Sequence, residues 1–203
     1  QLLLSGKAGI QLDGQENEWG SNKSELASDV ISKEIIQSAL STKLFRLTGH
    51  NFLEPCHRTV AEYLAARWLA NAMRNQLSIR RLESILYGSN YIVPAVLRGL
   101  HAWIATLNPA VAEMFIKRDP YGFLRYGDPK SLTIPQSKTL LSSLEQVAAI
   151  DPYFRSEDWH ATIGRGLARK ELRDDIIRVI RNPQSPYQLS HLIIESIQGD
   201  EFS

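Results

Sequence analysis

Six of the nine prolines in this chain follow Asn, Asp or Ser: Asn108-Pro109, Asp119-Pro120, Asp128-Pro129, Asp151-Pro152, Asn182-Pro183 and Ser185-Pro186. Such a pair reads as a helix start, because the cap side chain accepts a first-turn amide and proline at the first helical position has no amide to leave unpaired. A sequence marked this way folds as a succession of short helices. The pattern predicts helices over about 59–75, 79–87, 94–107, 109–117, 120–126, 135–150, 169–181 and 186–198, with Gly88, Gly127 and Gly199 where C-terminal caps are wanted.

Each predicted helix carries one apolar side. Val96-Leu97, Leu100, Ile104 and Leu107 form one stripe, and Leu140-Leu141, Leu144 and Val147-Ala148 another. Leu172, Ile176 and Val179-Ile180 form a third, and Leu189, Leu192-Ile193 and Ile197 a fourth. Amphipathic helices joined by short connections stack into an α-solenoid, so the expected fold is mainly α: an irregular HEAT-like array. It is irregular because the Asx-Pro starts are unevenly spaced.

Ahead of the array the pattern changes. Residues 1–23 are rich in Gly, Gln and Asn and are expected as a loop or disordered tail. From Ser24, Leu26, Val30, Ile31, Ile35 and Leu40 keep a helical face, and residues 44–48 and 52–55 flank the turn-forming Gly49-His50-Asn51. Residues 24–56 thus read as a helix and a small β-hairpin, and 57–203 as the helical domain. Pro55 cannot donate to a ladder, so its strand is an edge or is ending.

The stretch from Phe52 to Met73, FLEPCHRTVAEYLAARWLANAM, joins that hairpin to the first long helix. Thr59-Val60-Ala61-Glu62 fits the reciprocal capping box and puts the helix start at Thr59. Val60, Leu64 and Trp68 recur every four residues beside Ala61, Ala65 and Leu69, an apolar stripe expected to face a core.

His57, Arg58, Thr59, Val60, Glu62, Tyr63, Leu64, Ala65 and Ala66 together resemble a motif of the NACHT/STAND class of signalling NTPases, in which a winged-helix hairpin runs into a histidine-led helix. The resemblance covers about residues 44–69. It departs at Pro55-Cys56, where the motif carries an aromatic before the histidine. It implies that the hairpin is the remnant of a winged helix and that His57 contacts a phosphate of ADP in the resting state of the intact protein. Free amides at a helix N-terminus and a nearby imidazole both suit a phosphate. A cap-supporting or surface role is the plainer alternative for His57, and Glu62 reads as a capping residue rather than a catalytic acid.

No other constellation carries chemistry. Gly6-Lys7 fails the phosphate-loop pattern, which would need glycine at Gln1 and a hydroxyl at Ala8. His50, Cys56 and His57 lack zinc spacing, so no metal site is expected. His101 and His191 read as core or boundary residues. The run 165–181 is rich in Arg and Lys, but Asp174 and Arg178 are four apart, which predicts a salt-bridged helix face. Trp68 and Trp103 read as core, and Trp19 and Trp159 as loop residues.

A formal net charge of +1 argues against a dedicated nucleic-acid binder. One cysteine, Cys56, excludes an intrachain disulfide and points to a reducing compartment, the cytoplasm by default. No apolar run reaches the ~18–20 residues of a membrane span. The missing initiator methionine gives the expectation of a piece of a longer protein.

The expected function is therefore non-catalytic: a regulatory helical region of a multidomain STAND-type NTPase, relaying nucleotide state to sensing or effector domains. Its partners would be other domains of its own longer chain, with a protein partner or a homo-oligomer in addition. The piece itself would hold no cofactor, and the intact protein ADP or ATP with magnesium. Analogy with the class extends this to bacterial defence. The alternative is a free-standing α-solenoid scaffold for a protein partner.

Overall fold

The computed structural model describes residues 10–11, 33–48, 52–88, 90–156, 163 and 166–197. The chain is mainly α-helical, with a small antiparallel sheet ahead of the helices, and it divides into two compact units, Gln1–Ile85 and Leu86–Ser203.

In the first unit, β1 (Ile10–Gln11) is followed by α1 (Lys33–Leu40), β2 (Phe45–Thr48), β3 (Phe52–Pro55), α2 (Arg58–Asn75) and α3 (Ile79–Leu86). β3 is central, with β2 on one side and β1 on the other, both antiparallel. The stretch expected as a loop therefore contributes a strand, Ile10 opposite Leu53 and Gln11 opposite Phe52. Across the hairpin, Arg46 faces Glu54 and Phe45 faces Pro55. Pro55 ends its strand because it has no amide to donate, and the ladder passes to Cys56 N, which donates to Leu44 O at 2.8 Å. The turn at Gly49-His50-Asn51 and the expected helix start at Ser24, with Leu26, Val30 and Ile31, lie outside the described residues. The described part of α1 closes at Leu40, where the Ser41 and Thr42 hydroxyls donate back to Ser38 O and Ala39 O.

α2 corrects the sequence reading. Of the expected stripe Leu69 is buried, but Val60, Leu64 and Trp68 are 36%, 43% and 50% exposed, and the buried side is completed by Glu62, Ala66 and Ala70. This helix has two apolar sides. It packs against β3, and the side buried is the one with small residues, which let backbones approach closely. The helix belongs to the same compact unit as the sheet.

The second unit opens with a 3-10 turn, Ala95–Leu97, and continues through α4 (Arg98–Leu107), α5 (Pro109–Arg118), α6 (Pro120–Tyr126), α7 (Ile134–Ile150), α8 (Arg173–Arg181) and α9 (Tyr187–Ile197). The proline marks work largely as expected. Asn108 accepts from Ala110 N, Asp119 from Gly122 N, and Asp128 from Lys130 N at the head of the 3-10 turn Pro129–Ser131. At Asp151-Pro152 and Asn182-Pro183 the same chemistry makes turns instead, with Tyr153 N and Gln184 N donating to the Asx side chains. A full capping box forms at Thr133 and Gln136, which starts α7 one residue ahead of the expected Pro135.

α4, α5 and α6 pack on one another, α5 and α6 pack on α7, and α7 carries α9, which pairs with α8. Leu100, Ile104, Leu140, Leu144, Leu172, Val179, Leu192 and Ile193 of the four stripes are buried, with Phe115, Ile116 and Phe123 from α5 and α6 beside them, whereas Val96 of the first stripe is exposed. No helix among the described residues is long and apolar enough to cross a membrane.

Candidate functional site

His57 stands where β3 becomes α2. Its backbone is extended (φ −136°, ψ 123°), it occupies the N-cap position, and its side chain is exposed and makes no cap hydrogen bond. His57 O accepts from Ala61 N at 3.3 Å. The amides ahead of Ala61 have no carbonyl of the helix to meet, which leaves the partial positive end of an 18-residue helix beside the imidazole.

The expected cap at Thr59 and Glu62 does not form. The helix starts at Arg58, which places Thr59 inside the first turn, exposed. Glu62 is 6% exposed, and its Oε1 accepts from Arg58 Nε at 2.7 Å. A charged donor one turn away gives a shorter, stronger bond than a backbone amide, so Arg58 takes the carboxylate that a capping box would need. This pair fixes the first turn of α2 and leaves the imidazole of His57 facing outward.

Cys56 is half-buried beside His57, and its thiol is in no disulfide. Among the described residues no group of three His, Cys, Asp or Glu side chains could hold a metal ion. His50 and Gly6-Lys7 lie outside the described residues.

Other charged groups the sequence singled out act on their own fold. Arg169 of the basic run turns inward and donates to Leu132 O at 2.6 Å and Lys130 O at 2.9 Å. Arg178 reaches across to α7, with Nη1 2.7 Å from Glu145 Oε1 and Nη2 3.1 Å from Oε2, and Asp175 pairs with Lys138. The Asp174–Arg178 pair expected along α8 gives way to this link between helices, because Glu145 offers both carboxylate oxygens to the guanidinium fork. Arg165, Trp19 and Trp159 lie outside the described residues. Trp103 is half-buried.

Two buried networks were not legible in advance. His101 is 1% exposed, stacked on Phe115 with ring centroids 4.4 Å apart, and its Nε2 lies 3.2 Å from the Tyr87 hydroxyl. Burial pushes its pKa down to about 4, helped by the charges of Arg118 and Arg98 and opposed by Asp119. Arg155, fully buried, meets Glu195 at 2.8 Å, and its amide donates to Gln188 Oε1 at 3.1 Å. Glu195 also lies 3.0 Å from His191 Nδ1, off the hydrogen-bonding direction. The sequence signal for these was only an apolar helical face interrupted by a histidine.

Comparison of the chain with protein-family models, curated proteins and solved structures gave no match.

Proposed function

We propose that this chain is a non-catalytic regulatory region of a larger STAND-type NTPase, in which His57 contacts a phosphate of the resting nucleotide and the helices carry that state to sensing or effector domains. The observation that supports this reading is the junction itself: an antiparallel hairpin running through Cys56 and His57 into a long helix, with the imidazole exposed and not engaged in capping. The residues present fit a phosphate. The imidazole supplies a donor, the first-turn amides supply others, and Glu62, the nearest carboxylate on the helix, is neutralised by Arg58. His57 would hold and orient the phosphate, not transfer it. Nucleotide chemistry, with ADP or ATP and magnesium, would belong to other parts of the protein, which on this reading works in the cytoplasm as a signalling or defence switch.

The test uses the intact protein. Denaturing the purified material should release stoichiometric ADP or ATP. His57→Ala should then speed ADP release by about tenfold, the effect expected for one charge-assisted hydrogen bond, while the helical circular-dichroism signal stays unchanged. Protein free of nucleotide, or an unchanged release rate in the variant, would remove the proposal.

A further inference from the structure

We infer that the outward face of α2 is a docking surface for an acidic, amphipathic helical segment of a partner protein. Val60, Leu64 and Trp68 lie one turn apart along this face and are all exposed. Arg67 and Arg74, seven residues apart and therefore stacked on one flank of the same stripe, are exposed and make no ion pair among the described residues. The cations of the first turn and the hairpin are arranged differently: Arg58 is paired with Glu62, and Arg46 with Glu54.

A ridge of side chains spaced by four accepts the matching ridge of another helix, and the tryptophan at the end of this one, with the arginines beside it, is of the residue types that anchor such contacts. The flanking arginines choose the occupant. Covering an apolar seam beside two guanidinium groups that make no ion pair among the described residues favours carboxylates opposite them, since a buried charge left without a partner is costly. Antiparallel pairing of two copies would set the same arginine flanks against each other, so charge disfavours self-association. The inference concerns protein docking and stands whether or not His57 meets a nucleotide.

The experiment titrates the whole chain into a fluorescently labelled synthetic helix with leucines at four-residue spacing and glutamates along one flank. Fluorescence anisotropy should report saturable binding, weakened about tenfold or more by Trp68→Ala and to a similar degree by Arg67→Glu with Arg74→Glu. Because these side chains are exposed, the variants should keep the parent melting temperature. Equal binding of a probe with lysine in place of glutamate would overturn the inference, as would a parent affinity retained in both variants. Preferential binding to vesicles of anionic lipid would reassign the face to a membrane surface. Residues 12–32 carry five acidic side chains and one lysine. If replacing Glu16, Glu18, Glu25 and Asp29 by their amides raises probe affinity, the chain itself supplies the occupant and the inference fails.

Discussion

Arg98 holds Asp119 through both arms of its guanidinium, Nε to Oδ2 at 2.8 Å and Nη2 to Oδ1 at 2.7 Å, while the same Oδ1 accepts from Gly122 N at 2.9 Å. One carboxylate therefore closes the first turn of α6 and ties it to the first turn of α4, 21 residues earlier in sequence. Arg98 also lies over the Tyr121 ring, 5.6 Å from its centre. Removing the carboxylate leaves a half-buried guanidinium and an uncapped helix together. Asp119→Ala should cost about 3 kcal/mol of unfolding free energy in urea titrations, and a loss under about 1 kcal/mol would show that solvent compensates the pair.

Gly122 is bound to the same carboxylate by geometry. A Cβ at that position would run into Asp119, so Gly122→Ala should destabilise the chain even though alanine favours a helix. The expected double mutant is informative: in an Asp119→Ala background the alanine at 122 should cost less than it does alone, because the colliding carboxylate is gone. Equal costs in both backgrounds would place the strain elsewhere.

His101 predicts a pH dependence. Its folded-state pKa of about 4 lies below the ordinary value of 6.5, so the unfolded chain binds the proton more readily. Stability from this residue is complete above about pH 6.5 and is lost as pH falls toward 4, amounting to about 3 kcal/mol over that window. The groups facing it are the Tyr87 hydroxyl and the charges of Arg98, Arg118 and Asp119. Urea midpoints measured from pH 7 to 4 should fall more steeply in the parent than in His101→Leu. Parallel curves would mean that the imidazole binds its proton equally well folded and unfolded.

The two sides of α2 should respond differently to truncation. Leu69→Ala removes a buried side chain and should cost about 2–4 kcal/mol. Leu64→Ala, on the exposed side, should change stability by about 0.5 kcal/mol or less. Thermal melts of the pair decide which side is core, and a reversal of the two values would make the Val60-Leu64-Trp68 line the buried one.

That contrast also shows what a sequence can disclose here. Asn108, Asp119 and Asp128 were legible because a cap and its amide lie within three residues of each other, so the information is local. The side of α2 that is buried was not, since Val60-Leu64-Trp68 and Ala66-Leu69-Ala70 are both apolar and only tertiary packing selects between them. The boxes at Thr59-Glu62 and Thr133-Gln136 share one signature. The first yields to Arg58 and the second forms, a difference set by a single neighbouring cation. Arg98 with Asp119, and Arg178 with Glu145, join residues far apart in the chain and left no periodic trace. His57 was singled out by a motif, and what the fold adds is its exposed position at the end of β3.

Asn108 both ends α4 and begins α5, and Asp119 both ends α5 and begins α6. Three helices thus follow one another with single residues as their only joints. A helix turns about 100° per residue, so one inserted or deleted amino acid in either joint would swing the next helix around its axis and carry its apolar stripe out of the core. Between Arg98 and Tyr126 the chain is therefore held to a fixed length as well as to Asp119 and Gly122. Related chains should vary in size at Asn182-Pro183 or the 151–156 turns, and stay fixed in register here.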